Sequence, residues 1–194
     1  MNHIMNLGIP ASASASGGVY FFKDGRTVPD VLQSSFEFPD HNLSLLYTAT
    51  LASQFERTRK IMGTDATMEL GGTLNITVDP ASQIYKDKIQ QGLIKTDETF
   101  YRYASGKSID ALSSPTEKYF AERGLLFSYV KGKRYNTTYL HLREWLDCIR
   151  NGSQPSCGIK EAFEEAITSH MGTRAYLEGR NMYWDSEKRI ITKG

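Results

Sequence analysis

The sequence predicts an α+β fold, an open, mainly antiparallel β-sheet with helices packed on one face. Two observations carry this. The stretch from Tyr139 to Asp185 holds two amphipathic helices in tandem. The stretch from Val19 to Val78 breaks into about six short strands joined by tight turns, a connection that antiparallel neighbours allow and parallel ones do not. Two helices with apolar stripes need one apolar surface to lie on, and the strands supply it.

In the first helix Leu142, Trp145, Leu146 and Ile149 recur at i, i+3, i+4 and i+7, which is one helical face. Asn151-Gly152 stops it, and Pro155 keeps the connection extended. The second, longer helix carries Ile159, Ala162, Phe163, Ala166, Ile167, His170 and Leu177 on one face. Gly158 is a permissive N-cap, and Glu161, Glu164 and Glu165 crowd the positive N-terminal turns. Gly179 sits where a left-handed C-terminal residue is wanted. Trp145 and Trp184 read as core anchors.

Residues 1–9 read as the end of a helix terminated by Gly8 and Pro10, with no cap before His3, as though cut from something longer. The Ala-Ser alternation that follows suits an extended edge strand. Val19–Phe22 alternates, and Asp24-Gly25 is a hairpin signature. Leu32, Phe36 and Phe38 share one face of the next strand, with Gln33, Ser35 and Glu37 on the other. Pro39–Asn42 turns the chain into the period-2 run Leu43, Leu45, Tyr47, Ala49 and Leu51. Short strands at 58–62 and 66–70 flank the turn 63–65, and Leu74, Ile76 and Val78 give one more before Pro80. The span 81–138 is less regular. Ser114-Pro115-Thr116-Glu117 predicts a capped helix to about Arg123, and 125–130 another strand.

Composition bounds the function. At 194 residues one domain, 1–194, is the default. With 23 basic and 22 acidic residues the formal charge is +1, which provides no field for nucleic acid or an anionic membrane. No apolar run approaches the ~20 residues that cross a bilayer, and the N-terminus lacks the basic flank of a signal peptide. Cys148 and Cys157 have no metal-ligand spacing and read as buried thiols. Cytoplasm is the expected location.

No G-x-G-x-x-G, no G-x-x-x-x-G-K-[ST] and no G-x-S-x-G occurs, and the four histidines form no local metal motif. By spacing alone the chain carries no complete active site. His170 reads as a core histidine or a catalytic one, and His141 as a capping residue or a substrate contact. The run Lys131-Gly132-Lys133-Arg134-Tyr135 reads as a solvated loop, or as a lid presenting a guanidinium and a phenol to an anionic or hydroxyl-rich ligand. Arg134, Tyr135 and His141 are the substrate-binding candidates.

Three motifs in order, GGVYFFKDGRTVPDVLQSSFEFP, KIMGTDATMEL and HLREWLDCIRNGSQPSCGIKEAFEEAITSHMGTRAYLEGRNMYWD, closely resemble the C-terminal domain of Gfo/Idh/MocA-family oxidoreductases, particularly the branch common in Bacteroidetes. The likeness spans most of the chain and is thinnest over 81–138. It implies an open-faced sheet like that of dihydrodipicolinate reductase and glucose-6-phosphate dehydrogenase. It also implies an enzyme that uses NAD or NADP on sugars, inositols or related polyols. Set against that pattern, the Rossmann domain, the Glu-Lys-Pro motif and the catalytic histidine are not in these residues, and His3 falls too late to be that histidine.

The resemblance therefore implies a substrate-side and oligomerisation half, with no catalytic or cofactor-binding residue in this chain and with the Rossmann domain as its partner. The open sheet face would be the subunit interface, with Val31, Leu46 and Tyr20 as candidates. Three alternatives stand beside it: a free-standing, non-catalytic binding or scaffold module, a fragment of an NAD-dependent glycosidase, and an enzyme with a new site of its own. Export of the full-length protein would make the location periplasmic.

Overall fold

The computed structural model describes residues 5–54, 57–70, 73–104, 127–130 and 133–194. Its architecture is α+β, and every strand pairing is antiparallel, as the turn spacing predicts. The chain divides into two compact units, one formed by Met1–Phe55 with Gln154–Gly194 and the other by Glu56–Ser153.

The first unit holds five strands, β1 (Ser12–Gly18), β2 (Val31–Phe38), β3 (Leu43–Thr50), β10 (Met182–Asp185) and β11 (Ile190–Lys193), in the order β11-β10-β1-β2-β3. The Ala-Ser strand is thus central, not an edge. Its small side chains suit that place, because the long helix α3 (Ile159–Glu178) presses against it. Ala13 and Ala15 meet this helix where it carries Met171, Gly172 and Ala175. A Cβ at Gly172 would come within 2.9 Å of the Phe36 ring, so the seam is closed by having almost no side chain there.

Leu7, Phe36, Phe38 and Met182 complete the core, with Ile167, Trp184 and Ile191 packed around it. Met171 and Met182 are fully buried. Each contributes about 1.5–3 kcal/mol by leaving water.

The buried stripe of α3 is not the one the sequence suggests. Ile167, Met171, Gly172 and Ala175 face the sheet, whereas Ile159 is 88% and Leu177 71% exposed, and His170 is exposed rather than in the core. Large side chains set the periodicity signal, but close approach to an Ala-Ser strand selects small ones. The caps are as expected. The Gly158 N–H donates to Glu161 Oε2 at 2.9 Å, and Gly179 takes φ 62°.

Val19–Phe22 forms no strand. This segment is clasped by Asp30, whose carboxylate accepts the backbone N–H groups of Tyr20, Phe21 and Phe22 at 2.8–2.9 Å. Peptide donors hold the Asp30 carboxyl below its usual range, Tyr20 most, against the desolvation of a side chain that is 1% exposed. Pro39–His41 is a single 3-10 turn closed by Asn42 in the left-handed region.

At the N-terminus Met5 ends a helical turn, Asn6 takes φ 50° and Gly8 φ 71°, so the helix stops earlier than Gly8. The rest of the predicted helix precedes the described residues.

The second unit contains the sheet β4-β5-β6-β7, from β4 (Arg59–Met62), β5 (Ala66–Leu70), β6 (Thr73–Val78) and β7 (Tyr101–Ala104). It also contains helices α1 (Lys86–Gln90) and α2 (Thr137–Asn151), and the hairpin of β8 (Phe127–Val130) and β9 (Lys133–Asn136). Asp65 organises the turn beyond β6. Its carboxylate accepts from the Ser82 hydroxyl at 2.6 Å and the Gln83 and Ile84 N–H groups at 3.0 and 3.2 Å. The capped helix expected from Ser114 lies outside the described residues.

The two long helices therefore belong to different units, and within the first unit α3 alone covers the sheet. The stripe Leu142, Trp145, Leu146, Ile149 is 41–61% exposed, so Trp145 is no core anchor, whereas Trp184 packs on the core. Cys148 is half-buried and Cys157 exposed, and neither forms a disulfide.

Candidate functional site

The substrate-binding candidates gather at the junction of β9 and α2. Lys133–Asn136, half of the expected loop, is strand, and Arg134 sits opposite Tyr129 in the ladder. Asn136 then caps α2. Its Oδ1 accepts the N–H groups of Thr138 at 2.8 Å and Tyr139 at 3.4 Å. That cap is legible in Asn136-Thr137-Thr138, whereas the apolar spacing alone starts the helix near His141. His141 is instead the fifth residue of α2, exposed, with no capping contact.

Capping fixes where Tyr139 emerges. Its ring stacks on Tyr135 with centroids 6.1 Å apart and planes 12° from parallel. Tyr135 is half-buried and Tyr139 52% exposed, so the pair forms an aromatic step with one open side. His141 follows Tyr139 by two positions, about 200° around the helix, and so lies on another face of α2. The fold thus joins Tyr135 to Tyr139, which the sequence did not single out, rather than to His141.

Two clefts occur in the first unit. One of about 280 Å³ lies between Leu7, Phe38, Leu45 and Glu165, and one of about 410 Å³ between α3 and the β10–β11 hairpin. Among the described residues no group of three or more His, Cys, Asp or Glu could hold a metal ion, and no helix is long and apolar enough to cross a membrane. The described strands include no parallel crossover, and the sequence holds no G-x-G-x-x-G.

No protein-family profile and no curated relative matches the chain. Solved structures do. An oxidoreductase from Agrobacterium radiobacter, in complex with NAD+, L-tartaric acid and magnesium, aligns over 91% of this chain and 44% of its own, with 13% identity and a TM-score of 0.51. The shared property is the fold. Two inferred oxidoreductases, yvaA of Bacillus subtilis and a protein of Bacteroides fragilis, align at 12% and 13% identity over 95% and 93% of this chain and 48% and 49% of theirs. Both score 0.49, which carries no argument. The chain spans about half the length of each of these structures.

Proposed function

We propose that this chain is the C-terminal, substrate-side domain of a Gfo/Idh/MocA-type oxidoreductase acting on a sugar or related polyol with NAD or NADP. The observation that carries it is the fold shared with the Agrobacterium enzyme, over nearly all of this chain and under half of that one. The three sequence motifs support the same reading, and they resemble most closely the branch common in Bacteroidetes and similar bacteria. The nucleotide is handled by a Rossmann domain outside these residues, and the acid/base histidine, on a helix just before the stretch that matches Ile4–Pro10, likewise lies outside them. This chain supplies a wall of the sugar site, with Arg134 and Tyr135 as contacts and Tyr139 extending the Tyr135 surface, while His141, on another face of α2, would meet the substrate from a different side. An aromatic step of this kind suits the apolar face of a sugar ring.

Association of copies through the open sheet face belongs to the same proposal, on different grounds from those the sequence offers. In register that face carries Ser14, Ser35, Leu46, Gln33 and Thr48, so it is mainly hydroxyl and amide, not apolar. Leu46, 74% exposed, is its large apolar residue. Val31 lies at one end, and Tyr20 is in the clasped segment off the sheet.

The test is titration calorimetry of the chain with NAD+, NADP+ and a panel of sugars. No dinucleotide binding is expected, and sugar binding that weakens about tenfold on Arg134→Ala or Tyr135→Ala. Micromolar NAD+ affinity would overturn the reading.

A further inference from the structure

The larger cleft of the first unit, about 410 Å³, lies where the β10–β11 hairpin approaches the N-terminal turns of α3, and small-ligand sites run from ~300 to 1,000 Å³. Its wall joins two aromatic rings, Phe163 and Trp184, to the charged side chains of Lys160, Arg189 and Glu164. Phe163 of α3 and Trp184 of β10 meet edge to face, with centroids 6.1 Å apart and planes at 65°. Both are half-buried, so part of each ring is left to solvent. The guanidinium carbon of Arg189 stands 4.7 Å from the Phe163 centroid. Among the described residues Arg189 has no carboxylate partner. Lys160, 79% exposed, reaches Glu164 only at 3.9 Å, and Ser186 adds a hydroxyl.

The backbone supplies an independent observation. Arg189 ends the hairpin turn at φ 53°. That left-handed position favours glycine or asparagine, and an arginine is held there against its conformational preference. Here the side chain is a guanidinium set against the Phe163 ring, with no carboxylate partner among the described residues.

We propose that this cleft binds a small ring-bearing carboxylate, with the ring against Phe163 and Trp184 and the carboxylate on Arg189, assisted by Lys160. The guanidinium fork matches the two carboxylate oxygens, and the aromatic wall takes the flat apolar face of a ring. Neither half suffices. An exposed ion pair alone is weak, and an uncharged ring leaves the cation unpaired. Sugar acids and aromatic acids both carry this chemistry. The proposal stands apart from the sugar-site reading and survives its failure.

The test follows the Trp184 indole N–H and Arg189 Nε–H resonances of the full chain during titration with glucuronate, benzoate, glucose and acetate. Saturable shifts of both signals are expected with at least one ring acid. Glucuronate alone identifies a sugar acid, and benzoate alone an aromatic one. Glucose and acetate at equal concentration should leave the signals in place. Arg189→Gly fits the left-handed turn, so the fold is kept while the affinity falls at least tenfold. Lys160→Ala, at an exposed site, should weaken binding severalfold. The proposal fails if neither ring acid saturates, if acetate or glucose shifts the signals as the ring acids do, or if Arg189→Gly binds like the parent.

Discussion

Asp30 shows what one side chain can organise. Its two oxygens serve three consecutive peptide N–H groups, so the segment before it is shaped without a strand partner. In Asp30→Asn one of those oxygens becomes a donor facing donors. The variant should melt lower and exchange the Tyr20, Phe21 and Phe22 amides faster, while the β2 amides stay protected. The carboxyl is depressed in the folded state. Its contribution is therefore complete above the unfolded value, ~3.9, and is lost as pH falls through the lower folded value. Acid should free these three amides, and Asp30→Asn should remove that step from their pH profile. None of this was legible from spacing. Val19 to Phe22 alternates as a strand would, and nothing local marks residue 30 as the acceptor.

The Gly172 seam makes a second prediction at this scale. Gly172→Ala forces its methyl against Phe36 and should cost about 1–3 kcal/mol in chemical denaturation. Phe36→Leu should recover part of that in the double variant, because the two sites are in contact.

Among the elements, the glycine-marked helix ends were readable, whereas the start of α2 and the helix faces were not. Gly152, Gly158 and Gly179 stand at the caps where the sequence puts them. The faces failed because Ala162, Ala166 and Leu177 make as regular a stripe as Ile167, Met171 and Ala175. What chooses between them is the bulk of the opposing strand, which belongs to a different part of the chain. Strand β9 was hidden for another reason. Lys133 and Arg134 look like loop residues, and their pairing with β8 depends on the partner. Asn136→Ala should destabilise α2 by about 1 kcal/mol, read as lost helical signal and as loss of the Tyr135–Tyr139 contact. If the β9–α2 junction forms the sugar site, sugar affinity should fall with it. At the other end of α3, Glu178 joins Arg174 at 2.9 Å and Lys193 at 3.0 Å, and the Arg174 Nη1 donates to the Ile191 carbonyl. Helix and β11 are thereby tied by charge as well as packing.

For the molecule as a whole, the antiparallel α+β class followed from the amphipathic helices together with the tight turns, since the two- to four-residue links at β2–β3, β4–β5 and β5–β6 leave no room for crossovers. The division into two units did not follow, because strands at 59–78 have the same texture as those at 31–50. It has a direct consequence. Among the described residues, the core of the first unit and the side chains packed on it come from Met5–Leu45 or Ile167–Ile191. A chain with Glu56–Ser153 replaced by a flexible Gly/Ser linker should keep the five-stranded sheet, judged by dispersed methyl resonances of Met171 and Met182. Collapse of those signals would show that the second unit is needed for the first to fold.

The joint between β1 and α3 also bears on how such a chain can change over generations. Ala13 and Ala15 on the strand and Gly172 and Ala175 on the helix leave little space beside Met171 and Phe36, so a carbon gained on the helix has to be given up on the sheet. Single steps are closed there and paired steps open. Variation should therefore accumulate at hairpin tips and sheet rims, where new recognition can be tried without reopening the joint.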